Sequence, residues 1–408
     1  MLKKILALKV AKQTLFLFVA QIFGMASAFI SNILMAKAMG VANFGIYSFA
    51  VAMIMFLSIF FEFGYIASVS RLLIKNDDPL KEKELFGLAL VVCIICFLFF
   101  SLTILIISFF IDDFFDDKIG KILRVSSFCS FGFLVSFYLD LILKGANKIE
   151  ILSFFYVFQK GLFTLLLVAL LFLDNITVIN NILSFSLISI ISFFCCILNI
   201  KPVFTNLKSN FILLQRENKF FGFYNYLSRV IGTGSAEMDK ILIALWISAK
   251  DVGLYSLSFA LSSPINLLAT SFSSSILKKM FKRKIDAKTL SMHLLLLFIA
   301  AVFILVFGLC VIYFLGVEYY GMFILFALAC VATVLQALVQ PYNSWLMSNG
   351  YGKDMLRISI GFTASNVLFN VILIYNLNAI GAVLSKILSN LCFFIYCVLF
   401  YRRRVDDK

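Results

Sequence analysis

Residues 235–246 read SAEMDKILIALW and place Glu237, Asp239 and Lys240 among apolar neighbours. Eleven residues before Lys240 stands Arg229. At 100° per residue the two cations fall within about 20° of one another on a helix, and Asn225, Thr233 and Glu237 complete a polar stripe. Two further cations, Lys160 and Lys386, interrupt apolar runs with no carboxylate within one helical turn. Together these groups hold four cations against Glu237 and Asp239. The chemistry that such an excess suits is attraction of an anion rather than bond cleavage. Glu237 and Lys240, at i and i+3, also have the spacing of a simple helix-surface pair. Asp140 and Lys144 have the corresponding i,i+4 spacing.

No nucleophile constellation, nucleotide-binding loop or metal cluster accompanies them, so neither a catalytic residue nor a metal site nor a cofactor is expected. The nine cysteines lie in or beside apolar runs, Cys93 and Cys96 as a lone CxxC, and read as apolar filler. His293 cannot make an all-protein zinc site alone and reads as a packing or interfacial residue.

The elements that position these charges follow from hydropathy. The chain of 408 residues is 62% hydrophobic and 14% charged, with a mean hydropathy of +1.04, outside the range of soluble globular domains. Twelve apolar runs are long enough to cross a bilayer, near 14–36, 44–66, 86–111, 125–143, 151–173, 178–200, 220–247, 252–277, 290–315, 322–346, 357–376 and 379–401. Their length, and the absence of short alternating segments, predict an all-α integral membrane protein of about twelve transmembrane helices. The basic, apolar N-terminus has features of a secretory signal, but its apolar run continues through FISNILMA and serves as the first span.

A charge within such a span costs about 2.5–3.5 kcal/mol, against about 0.3–0.6 kcal/mol gained per Leu, Ile or Phe. The three charges of SAEMDKILIALW would cancel most of the gain of one span, so they require partners or a wet surface. Lys and Arg in alternate connections sum to 26 on one side and 5 on the other. The positive-inside rule then places both termini in the cytoplasm. The net charge of +14 is assigned to topology and anionic-lipid contact, with no nucleic-acid partner implied.

An offset of 208 residues superimposes 21–48 on 229–256 with nine identities in 28 positions, ending in a shared G-x-Y-S at Gly45, Tyr47, Ser48 and Gly253, Tyr255, Ser256. The match pairs the first span with the seventh. It predicts two six-helix bundles, 1–205 and 206–408, related as parallel repeats, an arrangement in which substrate binds between halves that open alternately. In this register Gln21 and Asn32 are the counterparts of Arg229 and Lys240, and Gly232 and Gly234 mark a place where the seventh span could bend.

Three stretches then carry a resemblance: MAKAMGVANFGIYSFA after the first span, MDKILIALWISAKDVGLYSLSFA at the seventh, and SNGYGKDMLRISIGFTASNVLFNVILIYNLNAIGAVLSKILS near the end. In this order, over nearly the whole chain, they resemble the polysaccharide-transporter family of O-antigen flippases (Wzx-type) in the MATE-like MOP flippase superfamily. The resemblance implies a non-enzymatic flippase of the bacterial inner (cytoplasmic) membrane. It would move an undecaprenyl-diphosphate-linked glycan while the tail stays among the membrane lipids. Arg229, Lys240, Lys160 and Lys386 would attract the headgroup, with Glu237, Asp239, Asn32 and Gln21 beside them. Lys386 departs from an apolar or small residue expected at its place. A coupling ion, H⁺ or Na⁺, and other polysaccharide-assembly proteins stay open as partners. Two other readings stand beside it: a MATE-type exporter coupled to Na⁺ or H⁺, which needs an uncompensated buried carboxylate, and an O-antigen polymerase, which usually carries a large external loop.

The charge count yields a direct test of orientation. In a background with the native cysteines replaced, a cysteine at Asn175 is expected to react with an impermeant thiol reagent on intact cells and one at Lys208 to stay unlabelled. External labelling at Lys208 would reverse the assignment.

Overall fold

A computed structural model describes residues 2–76, 78–111, 117–280, 284–349 and 351–406, with side chains from residue 16 onward except at 18, 117–118, 228, 233–236, 274–280, 347–348 and 352. Fourteen α-helices run through these residues, from α1 (Leu2–Phe60) to α14 (Gly352–Asp406). Among the described residues no strand is present.

Length alone shows that the first and last helices cannot each cross once. A straight helix of 59 residues would be about 89 Å long, three times the hydrocarbon thickness of a bilayer. Each is broken near its middle by a residue outside helical geometry: Gly40 (φ 73°, ψ 166°) in α1 and Asn378 (φ 54°, ψ −142°) in α14. Gly and Asn are the residue types that best tolerate positive φ. Among the described residues, eight helices are long and apolar enough to span, or nine when α4 (Asp117–Cys129) and α5 (Phe131–Gly145), bent by 47°, count as one. Dividing α1 and α14 at their breaks and adding α9 (Phe223–Trp246), which carries the charges, accounts for the twelve expected crossings. The helix α9 runs as one element through Gly232 and Gly234.

Backbone contacts group the chain into two compact units, Met1–Met39 with Ala50–Val230, and Gly40–Phe49 with Ile231–Lys408. In the first unit, α2 (Tyr65–Ile74), α3 (Pro79–Phe110), α5, α6 (Ile149–Phe172), α7 (Val178–Ile200) and α8 (Leu207–Glu217) surround a core that includes Phe86, Tyr138, Leu139 and Phe155. Tyr138 meets Phe193 edge-on at 5.9 Å between ring centroids. A buried carboxylate, Glu84, ties the start of α3 to the connection before α8. It accepts from Thr205 Oγ1 and Asn206 Nδ2 at 2.8 Å and from Asn210 Nδ2 at 3.1 Å. In the second unit α10 (Ala249–Met280), α11 (Ala287–Leu315), α12 (Met322–Leu338), α13 (Gln340–Ser348) and α14 pack together. Trp345, 1% exposed, stacks on Tyr351 at 5.6 Å and meets Tyr401 edge-on at 4.8 Å. Exposed large apolar side chains such as Phe99 and Ile106 on α3 and Phe298 and Phe303 on α11 lie on helices long enough to face lipid.

The two copies of G-x-Y-S touch each other. A Cβ placed on Gly45 would collide with the Ala249 carbonyl and come within 3.0 Å of the Gly253 nitrogen, and one placed on Gly253 would meet the Val41 carbonyl and Gly45. The glycines therefore permit a close backbone crossing, whereas a Cβ on Gly232 would meet nothing within 4 Å. Gly45→Ala and Gly253→Ala are each expected to destabilise the folded protein by about 1–3 kcal/mol through overpacking. Gly232→Ala is expected to be tolerated, with a gain in helix propensity. Thermal unfolding in detergent checks this, and equal midpoints for all three variants would remove the crossing as a constraint.

Candidate functional site

Of the six charged residues singled out by type and spacing, five fall into ion pairs among the described residues and Lys160 does not. In the second unit Asp239, 1% exposed, is held from three directions. Its Oδ2 accepts from Tyr255 Oη on α10 at 2.7 Å and from Lys386 Nζ on α14 at 2.8 Å, and its Oδ1 accepts from Asn370 Nδ2. Asn370 Nδ2 also donates to Asn366 Oδ1, one turn away on α14, at 3.1 Å. The break at Asn378 is what lets α14 contribute both the amides before it and the ammonium after it. A buried carboxylate requires such donors, because an unpaired charge away from water is costly by several kcal/mol.

Near it on α9, Lys240 and Glu237 pair at 2.9 Å, both about a quarter exposed. This is the i,i+3 pair that spacing predicts, and as a partly exposed pair it contributes little to stability. Thr233 lies outside the described side chains.

In the first unit Arg229 Nη1 lies 2.8 Å from Glu62 Oε2, and its guanidinium sits 3.5 Å from the Phe137 ring centroid. Glu62 is positioned by the irregular link between α1 and α2, where Phe63 and Gly64 both adopt positive φ. Asp140 is taken by Lys144 at 2.7 Å and also accepts from Tyr156 Oη. Gln21 is exposed and Asn32 half-buried on α1.

Lys160 on α6 is the exception. Its ammonium lies 5.0 Å from the centroid of Phe185, and a Cβ on Gly24 would lie 3.6 Å from its Cγ. Among the described residues no carboxylate comes within ion-pair distance of it. Polar groups surround its stretch of α6. Gln159 donates to Ser136 at 2.9 Å and Ser189 at 2.7 Å. Thr164 donates to the Lys160 carbonyl at 2.9 Å and shares a hydrogen bond with Ser31 at 2.9 Å. The expected excess of two positive charges is thereby reduced. Glu62, which spacing left outside the group, pairs with Arg229, so of the four cations singled out Lys160 is the one without a carboxylate among the described residues.

Sequence reasoning missed Glu62, Tyr255, Asn366 and Asn370 as partners of the charges. The i,i+4 amides Asn366 and Asn370 inside an apolar run are the signal that could have found the Asp239 cluster.

Residues 10–277 match the model of a family described as polysaccharide biosynthesis protein. No curated protein sequence matches the chain. Among solved structures the chain is similar to the lipid II flippase MurJ in an inward closed conformation, with a TM-score of 0.74 and 16% identity over 95% of this chain and 87% of that one. It is similar also to a multidrug resistance MATE family transporter of the MOP superfamily in an inward-facing conformation, with a TM-score of 0.63 and 14% identity over 97% of this chain and 95% of that one. A third likeness is to a multidrug resistance MATE family transporter of the same superfamily in an outward-facing conformation, with a TM-score of 0.58 and 16% identity over 97% and 96% of the two chains. At these identities the likeness is one of fold.

The Asp239–Lys386 pair generates a test of its role. Asp239→Asn and Lys386→Met each strand one partner and are each expected to cost about 3–5 kcal/mol of stability. The double variant should recover most of that loss, because neither charge is then left unpaired. Thermal unfolding of the three variants measures the coupling; additive losses would show that the two side chains act separately.

Proposed function

The chain belongs to the polysaccharide biosynthesis protein family, and from that premise we propose that it is a flippase for an undecaprenyl-diphosphate-linked oligosaccharide, an O-antigen or related repeat unit. The family and the flippase and transporter fold make it a multi-pass membrane transport protein rather than an enzyme. The finer reading places it in a bacterial inner membrane with both termini cytoplasmic. There 1–205 and 206–408 act as two bundles in alternating access.

The observation that carries the choice of an anionic headgroup is Lys160. Among the described residues it is an intramembrane cation without a carboxylate; such a charge is expensive, and where one is kept the default reading is functional. The aromatic face of Phe185 offsets part of the cost. A diphosphate arriving beside it would supply the missing counter-charge through a charge-assisted hydrogen bond. Arg229 and Lys240 are already paired, so they would act on the headgroup by exchanging partners. An exporter coupled to Na⁺ or H⁺ through a free buried carboxylate finds less support, since Asp239 is neutralised by Lys386 at 2.8 Å. A coupling ion at another place and partner proteins of polysaccharide assembly are compatible with this reading.

The test is display of the surface glycan in a strain lacking the gene, with each variant matched for amount in the membrane. Lys160→Gln should lower display about tenfold or more, as the loss of one charge-assisted contact made during passage requires. Lys160→Arg should retain more activity than Lys160→Gln, and Arg229→Gln and Lys240→Gln should fall between. Normal display by Lys160→Gln would overturn the proposal.

A further inference from the structure

A second collection of cations in the first unit is carried by α2 rather than α6. The end of α2 carries Arg71 and Lys75, and both turn to one carboxylate, Glu217 at the end of α8: Arg71 Nε at 3.1 Å and Lys75 Nζ at 3.0 Å. Two cations thus share one anion, and the cluster keeps a net positive charge. Glu217 is the least exposed of the three at 16%, against 40% for Arg71 and 51% for Lys75. The two cationic side chains are thus more exposed than the carboxylate they share. The Arg71 guanidinium is further fixed over the Phe221 ring, 4.5 Å from its centroid, so its geometry is set before any ligand arrives.

These side chains border a cavity of about 480 Å³, within the size range of small-molecule sites. Its lining divides by chemistry. Ser70, Arg71, Lys75 and Asn225 are polar, and Ala67, Ile74, Leu141 and Phe221 are apolar. The cavity opens near the end of the unit that bears the turns after α2 and after α5. The 2.7 Å pair of Lys148, at the start of α6, with Glu82, at the start of α3, brings those turns together. On the orientation given by the charge count, that end meets the cytoplasmic leaflet.

We propose that this cavity is a docking site for the phosphate or diphosphate headgroup of an amphiphile, with Arg71 and Lys75 taking the anion and the Ile74, Leu141 and Phe221 wall taking the first carbons of its aliphatic chain. Arg71 suits a phosphate because its planar fork presents two parallel donors, and Lys75 adds a mobile point charge. A water-soluble anion would use the cations alone and gain nothing from the apolar wall. A lipid without a phosphate would leave the cations unused. The site fits a phosphorylated lipid waiting at the membrane surface, and it stands independently of the role proposed for Lys160.

Binding to the purified full chain in a non-ionic detergent tests this without any transport step, so its failure would leave the translocation reading intact and the reverse. Three probes separate the sources: farnesyl diphosphate, inorganic diphosphate and farnesol. Calorimetry should show saturable binding of farnesyl diphosphate, about tenfold or more weaker binding of either of the other two, and weakening with added salt. Arg71→Gln combined with Lys75→Gln should weaken farnesyl diphosphate binding about tenfold or more. The charge-keeping pair Arg71→Lys with Lys75→Arg should retain most of it, which distinguishes lost charge from lost fold. Unchanged binding in the Gln variant would overturn the proposal. Inorganic diphosphate binding as tightly as the farnesyl compound would overturn it in favour of a soluble anion, and equal binding of farnesol in favour of an apolar groove.

Discussion

A charge away from water must be met by another charge or by donors and acceptors, and in this protein that requirement joins elements that the chain itself keeps far apart. The clearest case is Asp239. Tyr255, Asn370 and Lys386 converge on its two oxygens from α10 and from both sides of the break in α14. Apolar packing would hold α9, α10 and α14 together in many registers, because lipid tails are as apolar as leucine. The hydrogen bonds of one carboxylate select among those registers, and a shift of one turn along α14 would leave both Asp239 and Lys386 stranded. Glu84 does the same for α3 and the connection before α8, and Glu62 for Arg229 and the link between α1 and α2.

Against that background of compensation, Lys160 differs by being kept in an apolar helix with an aromatic ring and neutral polar neighbours for company. The contrast separates two uses of intramembrane charge. A pair such as Asp239–Lys386 specifies structure and is silent toward an anion, because its field is largely cancelled. A lone ammonium is a weak structural element and a strong attractor. On the proposed reading the protein needs both: a bundle whose helices are pinned, and a cation able to take an arriving anion as its counter-charge.

Much of the helical layout was legible because bilayer thickness imposes a length on every span, and the breaks at Gly40 and Asn378 fall between expected crossings. Local spacing likewise exposed the Glu237–Lys240 and Asp140–Lys144 pairs, since i,i+3 and i,i+4 contacts are built into helix geometry. Asp239–Lys386 and Arg229–Glu62 were not legible, because their partners meet only through tertiary packing. Glu62 in particular looks like an ordinary residue at the edge of a span. The repeat showed that Gly45 and Gly253 correspond, yet nothing in an alignment of the chain with itself says that corresponding residues touch.

The 147 residues that separate Asp239 from Lys386 are also a delay. A ribosome adding 5–20 residues per second completes α9 roughly 7–30 s before it has made the ammonium that neutralises its carboxylate. Throughout that interval the nascent chain holds Asp239 without its final counter-ion. The tyrosine of α10 that donates to the same carboxylate follows it by only 16 residues. The salt bridge that fixes the finished bundle can therefore close only after 147 further residues have been made, whereas the Tyr255 hydrogen bond needs only 16.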